Sequence, residues 1–319
     1  MTDASEIAAQ LRGVLCATVT PFDPATLAVD WQGVHHNVEW LVGQGIELIV
    51  VNGSIGEPTS LTEDEQRRLI RETVRAAAGR LTIVAGCSDP NPQIVIDRAN
   101  DARAAGAAGI LVAPPGAFRL SPAEIVEFFA MVDRGTAMPL VVYDNPAVAR
   151  SSLTLESIDA LASLPSFAGL KEADPDILRF EAIVDRFEGR FPIIAAVEDP
   201  LLYHLVAGAR ACMTASAAFA PATLRALLKA VTESDLPTAH AVFARIRQFR
   251  ALFASQLATG RPAWLPYTKA AVDLVGGRAG PPRPPLQAVG AGDVERLARV
   301  LADIGVTHSP SQALSTTEV

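Results

Sequence analysis

Short, almost continuously apolar runs alternate with longer amphipathic stretches along the chain as far as residue 215. Such apolar runs are typical of parallel strands that are covered on both faces, and the amphipathic stretches between them are typical of helices. The pattern predicts strands over residues 14–18, 48–52, 81–86, 109–113, 140–143, 167–171, 193–197 and 212–215.

Capping residues predict where several of the intervening helices begin. Thr62 followed by Glu65 forms a capping box at the start of a helix over residues 63–78. Asn91-Pro92 and Ser121-Pro122 each place a proline at the first helical position, where its missing N–H is not needed. The chain is therefore predicted to alternate strand and helix from its first strand onward.

Eight strands that alternate with helices predict a closed parallel barrel, the (β/α)8 or TIM barrel, over residues 1–234. A doubly wound open sheet is the structural alternative. It is disfavoured because Thr18-Val19-Thr20-Pro21-Phe22, rather than a G-x-G-x-x-G turn, follows the first strand.

The strand pattern stops near residue 234, and residues 235–319 are predicted to form a C-terminal helical extension with a flexible tail. Its helices are expected over residues 240–258, 266–275 and 291–304, with a proline-rich stretch over 281–285. Gly305 is placed to end the last helix, and the polar tail after it is expected to be disordered.

Composition narrows the class of protein. The chain is 50% hydrophobic and 19% charged, and its net charge of −8 comes without any block of Lys or Arg. That balance argues against a nucleic-acid or anionic-membrane partner. There is no apolar run near the ~18 residues of a membrane span and no signal-peptide pattern at the start. Cys16, Cys87 and Cys212 lie in apolar stretches, so we expect reduced thiols in a cytoplasmic protein.

Three chemically active segments fall at predicted carboxyl ends of strands, where barrel active sites are built. They are Gly53-Ser54-Ile55-Gly56-Glu57, Tyr143-Asp144-Asn145-Pro146 and Lys171-Glu172. Their concurrence at one end of the barrel is more informative than any one of them alone.

Lys171 ends an apolar strand and is expected to point toward the barrel interior. Burial disfavours an ammonium group, so more neutral amine would be available to attack a ketone. The iminium that results is an electron sink for cleaving or forming a neighbouring C–C or C–O bond. The alternative is that the lysine extends to the rim and pairs with Glu172 or another carboxylate.

Two neighbouring features could serve such chemistry. Tyr143 could move protons to and from the substrate, although tyrosines are also common at barrel mouths for other reasons. The turn Gly53-Ser54-Ile55-Gly56 could bind a carboxylate through its backbone N–H groups and one hydroxyl. It could equally be a tight loop that merely needs glycine.

Histidine placement argues against a metal-dependent enzyme. His35 and His36 are neighbours on a predicted helix and diverge by about 100°, so they cannot bind one metal ion together. None of the five histidines lies at a strand end with an acidic residue at ligand spacing. We therefore expect no metal.

Together, these segments resemble the dihydrodipicolinate synthase/N-acetylneuraminate lyase family along nearly the whole chain. The matching motifs are Thr18-Val19-Thr20-Pro21-Phe22, Gly53-Ser54-Ile55-Gly56-Glu57, Leu61-Thr62-Glu63, Tyr143-Asp144-Asn145-Pro146, Gly169-Leu170-Lys171-Glu172, Lys269 and Arg283-Pro284-Pro285-Leu286. The resemblance implies a class I aldolase-type mechanism on a small 2-keto acid and an aldehyde, with no metal or organic cofactor. It also implies a homotetramer, which is common in the family.

The resemblance also implies roles for individual residues. Lys171 would be the Schiff-base lysine, Tyr143 the proton-transferring tyrosine, and Ser54 the hydroxyl of the carboxylate loop and proton relay. The remaining substrate-binding positions would be Gly53, Ile55, Thr18 and Val197.

The chain departs from the family pattern around the second substrate. Ile55 replaces the second hydroxyl of the loop, and residues 114–118 replace a tyrosine pair after the fourth strand. Ala196-Val197 stands at a glycine position, and Arg150 comes later than the family's arginine. These changes leave the lysine chemistry alone, so we favour an aldolase or hydratase-aldolase with pyruvate as product or donor. The alternatives are a 2-keto-3-deoxy sugar acid dehydratase, dihydrodipicolinate synthase itself, or a catalytically inactive 2-keto-acid-binding member.

Overall fold

The computed structural model describes residues 3–257 and 263–306. The strands within these ranges are β1 (Gly13–Val14), β2 (Cys16–Ala17), β3 (Leu48–Val51), β4 (Thr82–Gly86), β5 (Gly109–Val112), β6 (Leu140–Asp144), β7 (Phe167–Glu172), β8 (Ile193–Ala195) and β9 (Ala211–Cys212). All neighbouring pairs are parallel, in the order β1-β9-β8-β7-β6-β5-β4-β3-β2.

The first predicted strand is interrupted at Leu15, and its two pieces close the sheet into a barrel. β1 pairs with β9, whereas β2 pairs with β3. Between them, the Leu15 N–H donates to the Cys212 carbonyl at 2.9 Å, so the chain passes from one neighbour to the other without a gap. The predicted (β/α)8 barrel is confirmed.

Helices surround the sheet and continue beyond it. They are α1 (Ala4–Gln10), α2 (Trp31–Gly43), α3 (Glu63–Ala77), α4 (Pro92–Ala105), α5 (Pro122–Thr136), α6 (Pro146–Ala149), α7 (Leu155–Leu161), α8 (Ile177–Phe187), α9 (Leu201–Ala207), α10 (Pro221–Thr232), α11 (Leu236–Ala251), α12 (Ala254–Leu257), α13 (Trp264–Leu274) and α14 (Ala291–Asp303). In the part of the chain that the structure describes, no helix is long and apolar enough to cross a membrane.

The predicted helix starts are confirmed by their caps. The Thr62 hydroxyl accepts a hydrogen bond from the Glu65 N–H, and the Glu65 carboxylate accepts one from the Thr62 N–H. Asn91 caps α4 through its side-chain oxygen, and Ser121 forms a second capping box at the start of α5. Each cap satisfies N–H groups that the first turn of a helix leaves without partners.

The amino end of the barrel is covered by α1. Leu11, just after this helix, is buried against Gly169 of β7, on the face of the strand that also carries Lys171. A Cβ at Gly169 would lie 2.8 Å from the Leu11 Cδ1 and 3.0 Å from the Pro192 carbonyl oxygen, so glycine allows this close packing. This cover lies opposite the carboxyl ends of the strands, where the predicted site residues stand.

The C-terminal extension packs on the barrel through a row of aromatic rings. Phe249 of α11 contacts Phe219, which follows β9, with ring centroids 4.6 Å apart, and Phe253 contacts Tyr267 of α13 at 5.3 Å. α11 begins earlier than predicted because the Asp235 side chain accepts from the Thr238 N–H. The flexible tail is predicted to follow Gly305, and only its first residue, Val306, is among the described residues.

Candidate active site

The ends of β6 and β7 place four functional side chains on two faces of the barrel wall. Tyr143 pairs in register with Lys171, and Asp144 pairs with Glu172. Successive side chains on a strand point to opposite faces. Asp144 and Glu172 contact Arg179 of α8, outside the sheet, so Tyr143 and Lys171 point into the barrel interior.

Lys171 is buried, with 5% of its surface exposed, and its amine lies on the Tyr143 ring. The Nζ is 3.8 Å from the ring centroid, a cation–π distance when the amine is protonated. Among the described residues no carboxylate forms an ion pair with this amine. Glu172, the partner considered in the alternative interpretation, is bound to Arg179 instead.

Tyr143 is held by a neighbour in its own motif. The Asn145 side-chain amide donates a hydrogen bond to the Tyr143 phenol oxygen at 2.7 Å. The phenol O–H therefore remains free in this geometry to donate to another acceptor. The ring is 8% exposed, so the hydroxyl lies at the edge of the interior rather than in open solvent.

On the other face of the wall, Asp144 and Glu172 form a buried acidic pair. The Arg179 Nη2 donates to Asp144 at 2.6 Å and to Glu172 at 3.3 Å, and both carboxylates are fully buried. The Leu153 N–H also donates to Asp144 at 3.0 Å, and the Asp174 N–H donates to Glu172 at 2.7 Å. Burial raises the pKa of both carboxyls, and for Glu172 the neighbouring Asp144 raises it further.

Arg179 was not predicted as part of the site. It lies in the first turn of α8, which Asp176 caps by accepting from the Leu178 and Arg179 N–H groups. The sequence gives one indication of this role: Arg179 is a basic residue in a helix that follows two strands with acidic carboxyl ends. This indication is weak, because most arginines in helices pair with other helices at the surface.

The predicted carboxylate loop forms a 3₁₀ turn over Ser54–Gly56 after β3. The first N–H groups of such a turn, those of Ser54 and Ile55, have no partner within it. The Ser54 side chain is exposed, whereas Ile55 is buried in the apolar core, with 6% of its surface exposed. The loop therefore offers backbone donors and one hydroxyl, and its apolar side chain serves packing.

Thr18 and Val197 follow two other strands, β2 and β8, at the same end of the barrel. The Thr18 N–H donates to the Val50 carbonyl at 2.9 Å, which fixes Thr18 beside β3. The strand predicted over residues 193–197 ends at Ala195, so partly exposed Val197 lies in the loop after β8. The next residue, Glu198, accepts from the Ser216 N–H at 2.9 Å, and burial raises the pKa of its carboxyl.

The loop that replaces the tyrosine pair lies against the loop after β6. A side chain at Gly116 would collide with the Val148 carbonyl, so glycine permits this contact. Phe118 and Arg150, on these two loops, are both exposed, and Phe118 has 78% of its surface accessible. Both side chains therefore lie at the rim, outside the buried Lys171–Tyr143 contact.

Within the described ranges, no three His, Cys, Asp or Glu side chains converge as metal ligands. His35 binds Glu72 at 2.8 Å, and His36 binds the Gly276 carbonyl at 2.7 Å, so the two rings point to different partners. The acidic residues behind β6 and β7 surround Arg179, which occupies the position between them.

The fold is a closed parallel barrel, and an amine, a phenol and backbone donors lie at the carboxyl ends of its strands. These features define the class of the protein as a (β/α)8-barrel enzyme. The family model described as "Dihydrodipicolinate synthetase family" matches residues 10–304. The chain belongs to this family, whose members are class I aldolase-type lyases.

The relatives that the chain matches are distant in sequence, and the matches cover most of its length. A 4-hydroxy-tetrahydrodipicolinate synthase of Alcanivorax borkumensis is 30% identical over 236 residues, 74% of this chain and 80% of the relative. An uncharacterized DapA-like lyase of Halobacterium salinarum is 29% identical and covers 93% of this chain and 95% of its own. The crystal structure of dihydrodipicolinate synthase from Oceanobacillus iheyensis superposes with a TM-score of 0.85 at 25% identity, covering 96% of this chain and all of that one.

Proposed function

We propose that this protein is a Schiff-base-forming lyase that acts on a 2-keto acid, of the aldolase or hydratase-aldolase type, with pyruvate as product or donor. The observation that carries the proposal is the Lys171 amine, which is buried, forms no ion pair among the described residues, and lies on the Tyr143 ring. An amine that is not held in an ion pair is available to attack a ketone carbon.

The proposed chemistry begins with attack of the Lys171 Nζ on the ketone carbon of the 2-keto acid. Loss of water from the carbinolamine gives an iminium that holds the carbon skeleton on the lysine. In the cleavage direction, the substrate hydroxyl loses its proton, the neighbouring C–C bond breaks, and its electron pair forms an enamine while the aldehyde leaves. Protonation of the enamine and hydrolysis of the iminium release pyruvate and free Lys171.

In this scheme, Tyr143 transfers the protons and the 53–57 loop binds the carboxylate. The phenol adjoins the amine and is oriented by Asn145, so its O–H can serve the carbinolamine and the substrate hydroxyl. The Ser54 hydroxyl and the N–H groups that open the turn at Ser54 and Ile55 would hold the carboxylate. No metal or organic cofactor enters any step.

The nature of the second substrate separates the remaining candidates. The relatives named 4-hydroxy-tetrahydrodipicolinate synthase favour that activity as the second candidate. Against it, Ile55 is buried where a hydroxyl is expected, and residues 114–118 after β5, which end in Phe118, replace a tyrosine pair. The apolar side chain at the rim instead suits an aldehyde with an apolar or aromatic group. Dehydration of a 2-keto-3-deoxy sugar acid would begin from the same iminium.

Reductive trapping tests the lysine chemistry directly. The chain has only three lysines, Lys171, Lys229 and Lys269, so the site of modification is easily assigned. Incubation with pyruvate and borohydride should place an adduct on Lys171, and Lys171→Ala should abolish it. Exposed Lys229 is the internal control for non-specific modification. If pyruvate and longer 2-keto acids all leave Lys171 unmodified, the protein is a catalytically inactive family member and the lyase proposal is wrong.

We also propose a homotetramer that works in the cytoplasm. Self-association is supported by an exposed apolar groove beside α5, and a reducing compartment is supported by three free, buried cysteines, Cys16, Cys87 and Cys212. The only partners proposed outside the assembly are the 2-keto acid and the aldehyde, with no nucleic acid and no membrane.

A further inference from the structure

A second group of buried charges lies directly behind the 53–57 loop. The Lys269 Nζ of α13 is 2.6 Å from the Glu57 Oε1, and each of these side chains is only 1% exposed. The same amine donates to the Thr20 carbonyl at 2.9 Å. Burial lowers the pKa of Lys269, and the Glu57 carboxylate opposes that shift. Lys269 thus has two hydrogen-bond acceptors, one of them a carboxylate, unlike Lys171.

The other oxygen of Glu57 is bound by the segment that leads to α14. The Arg283 N–H donates to the Glu57 Oε2 at 3.0 Å. The Arg283 guanidinium then fixes its own segment by donating two hydrogen bonds to Glu65, at 2.8 and 2.7 Å, and one to the Ser60 carbonyl at 2.8 Å. A bidentate contact of this kind defines both position and orientation.

One aromatic ring joins the two cations. The Phe22 ring has the Lys269 Nζ 4.2 Å from its centroid and the Arg283 Cζ 4.4 Å from it. Phe22 is buried and belongs to the segment after β2, so this segment is held together with the other two. The cluster therefore joins the segment after β2, the 53–57 loop after β3 and the C-terminal extension.

The 53–57 loop depends on these contacts for its shape. Glu57 has a left-handed backbone, with φ of 55°, a conformation that costs a non-glycine residue free energy. The Thr20 hydroxyl donates to the Gly56 carbonyl at 2.6 Å, one residue before it. The turn is thus held at Gly56 and Glu57 by residues from other parts of the chain.

We propose that Lys269 and Arg283 are positioning residues that hold the 53–57 loop in its carboxylate-binding shape through Glu57. Both residues belong to the C-terminal extension, so the extension contributes to substrate binding through the loop. The inference rests on the proposed function in one respect, that this loop binds the substrate carboxylate. It also accounts for Lys269 and the Arg283 segment, two motifs that the lysine chemistry leaves unexplained.

The test uses a variant in which both buried charges are removed together. Lys269→Met alone would leave Glu57 buried and unpaired and could prevent folding. The double variant Glu57→Gln/Lys269→Met has no unpaired charge and keeps similar side-chain volumes. Lys229→Met is the matched control, because Lys229 is exposed and remote from the cluster.

Two measurements on the full-length variants decide the question. In borohydride trapping on Lys171, the double variant should need roughly tenfold more pyruvate for half-maximal modification, the effect of a weakened charged hydrogen bond. Its trapping rate at saturating pyruvate should stay close to the wild-type rate, because Lys171 and Tyr143 are untouched. By hydrogen exchange, the amides of residues 53–57 should exchange faster, while those of β7 should not change. Lys229→Met should behave as the wild type in both.

Each outcome has a distinct meaning. Unchanged exchange in residues 53–57, or unchanged half-saturation in a folded double variant, overturns the positioning role and leaves the cluster a stabilising one. If the wild type itself is not trapped by any 2-keto acid, the proposed function fails, and hydrogen exchange alone decides whether Lys269 orders the loop. Equal loss of protection in β7 would show general destabilisation and would also contradict the proposal.

Discussion

At the level of single residues, strand geometry separates Lys171 from the residue that follows it. Glu172 is its neighbour in sequence, yet the two side chains lie on opposite faces of the barrel wall. The carboxylate is bound by Arg179 outside the sheet, and the amine lies inside against Tyr143. The adjacent residues Lys171 and Glu172 therefore form no ion pair with each other, because the strand directs their side chains to opposite faces.

The hydroxyl of Tyr143 can be tested without knowledge of the second substrate. An enzyme that forms an enamine from pyruvate exchanges the methyl protons of pyruvate with solvent deuterium, which proton NMR detects. Tyr143→Phe keeps the ring beneath the Lys171 amine and removes only the proton-transferring group. We expect exchange to fall roughly 10²–10⁴-fold, the usual contribution of a general acid–base group.

Pyruvate should still be trapped on Lys171 in Tyr143→Phe, because the lysine and the carboxylate loop are unchanged, but more slowly, because the carbinolamine loses its proton donor. Tyr203→Phe is the matched control, since Tyr203 is 45% exposed on α9. Wild-type exchange rates in Tyr143→Phe would remove Tyr143 from the mechanism.

At the level of elements, the end of the β6–β7 pair is secured by one helix. Arg179 of α8 contacts both strands through Asp144 and Glu172, 35 and 7 residues away in sequence. Two buried carboxylates face a single guanidinium, so they share more negative charge than it can balance. Burial is the main cause of the raised pKa of each carboxyl, and for Glu172 the neighbouring charge of Asp144 adds to it.

The raised pKa of Glu172 predicts how stability depends on pH. Burial and Asp144 raise this pKa from 4.5 to about 8, so folding favours the protonated form. The stabilising effect is complete below the unfolded value and is lost as pH rises from there through about 8. Wild-type protein should therefore lose stability between pH 5 and pH 8.5, and Glu172→Gln should lose less, because it cannot ionise.

Thermal or urea unfolding of both proteins across that pH range measures this difference. Glu233→Gln provides the control, since Glu233 is exposed on the surface. Parallel pH profiles for the wild type and Glu172→Gln would show that Glu172 stays ionised in the folded protein.

At the level of the whole molecule, one apolar surface is left uncovered by residues 3–257 and 263–306, the ranges that the structure describes. Pro115, Phe118, Leu120, Phe128 and Met131 line a groove of about 360 Å³ beside α5. Phe118 and Met131 are 78% and 41% exposed. Exposed apolar patches of this kind commonly mark contacts between subunits.

We therefore expect Phe118→Asp/Met131→Glu to lower the molecular mass in solution, measured by light scattering, from that of a tetramer to a smaller species. Buried charges without partners are costly in an interface, so the effect should be large. Leu178→Glu is the control, because Leu178 is 76% exposed on α8, away from the groove. A wild-type protein that is monomeric would contradict the proposed assembly.

The sequence by itself determined the order and type of the elements, because their signals are local. Apolar runs predicted the strands, and Thr62, Asn91 and Ser121 predicted helix starts, since a cap and its N–H partner lie within a few residues. Motif resemblance led to Lys171 and Tyr143, and their contact follows from adjacent parallel strands in register.

The tertiary structure alone decided which residues support that pair. Arg179 reaches Asp144 across 35 residues, and Lys269 reaches Glu57 across 212, distances over which no periodicity or capping pattern carries information. Their partners are set by which side chains become buried together, since a buried charge must find an opposite charge or a hydrogen bond. Only the closed barrel and its C-terminal helices bring those groups into contact.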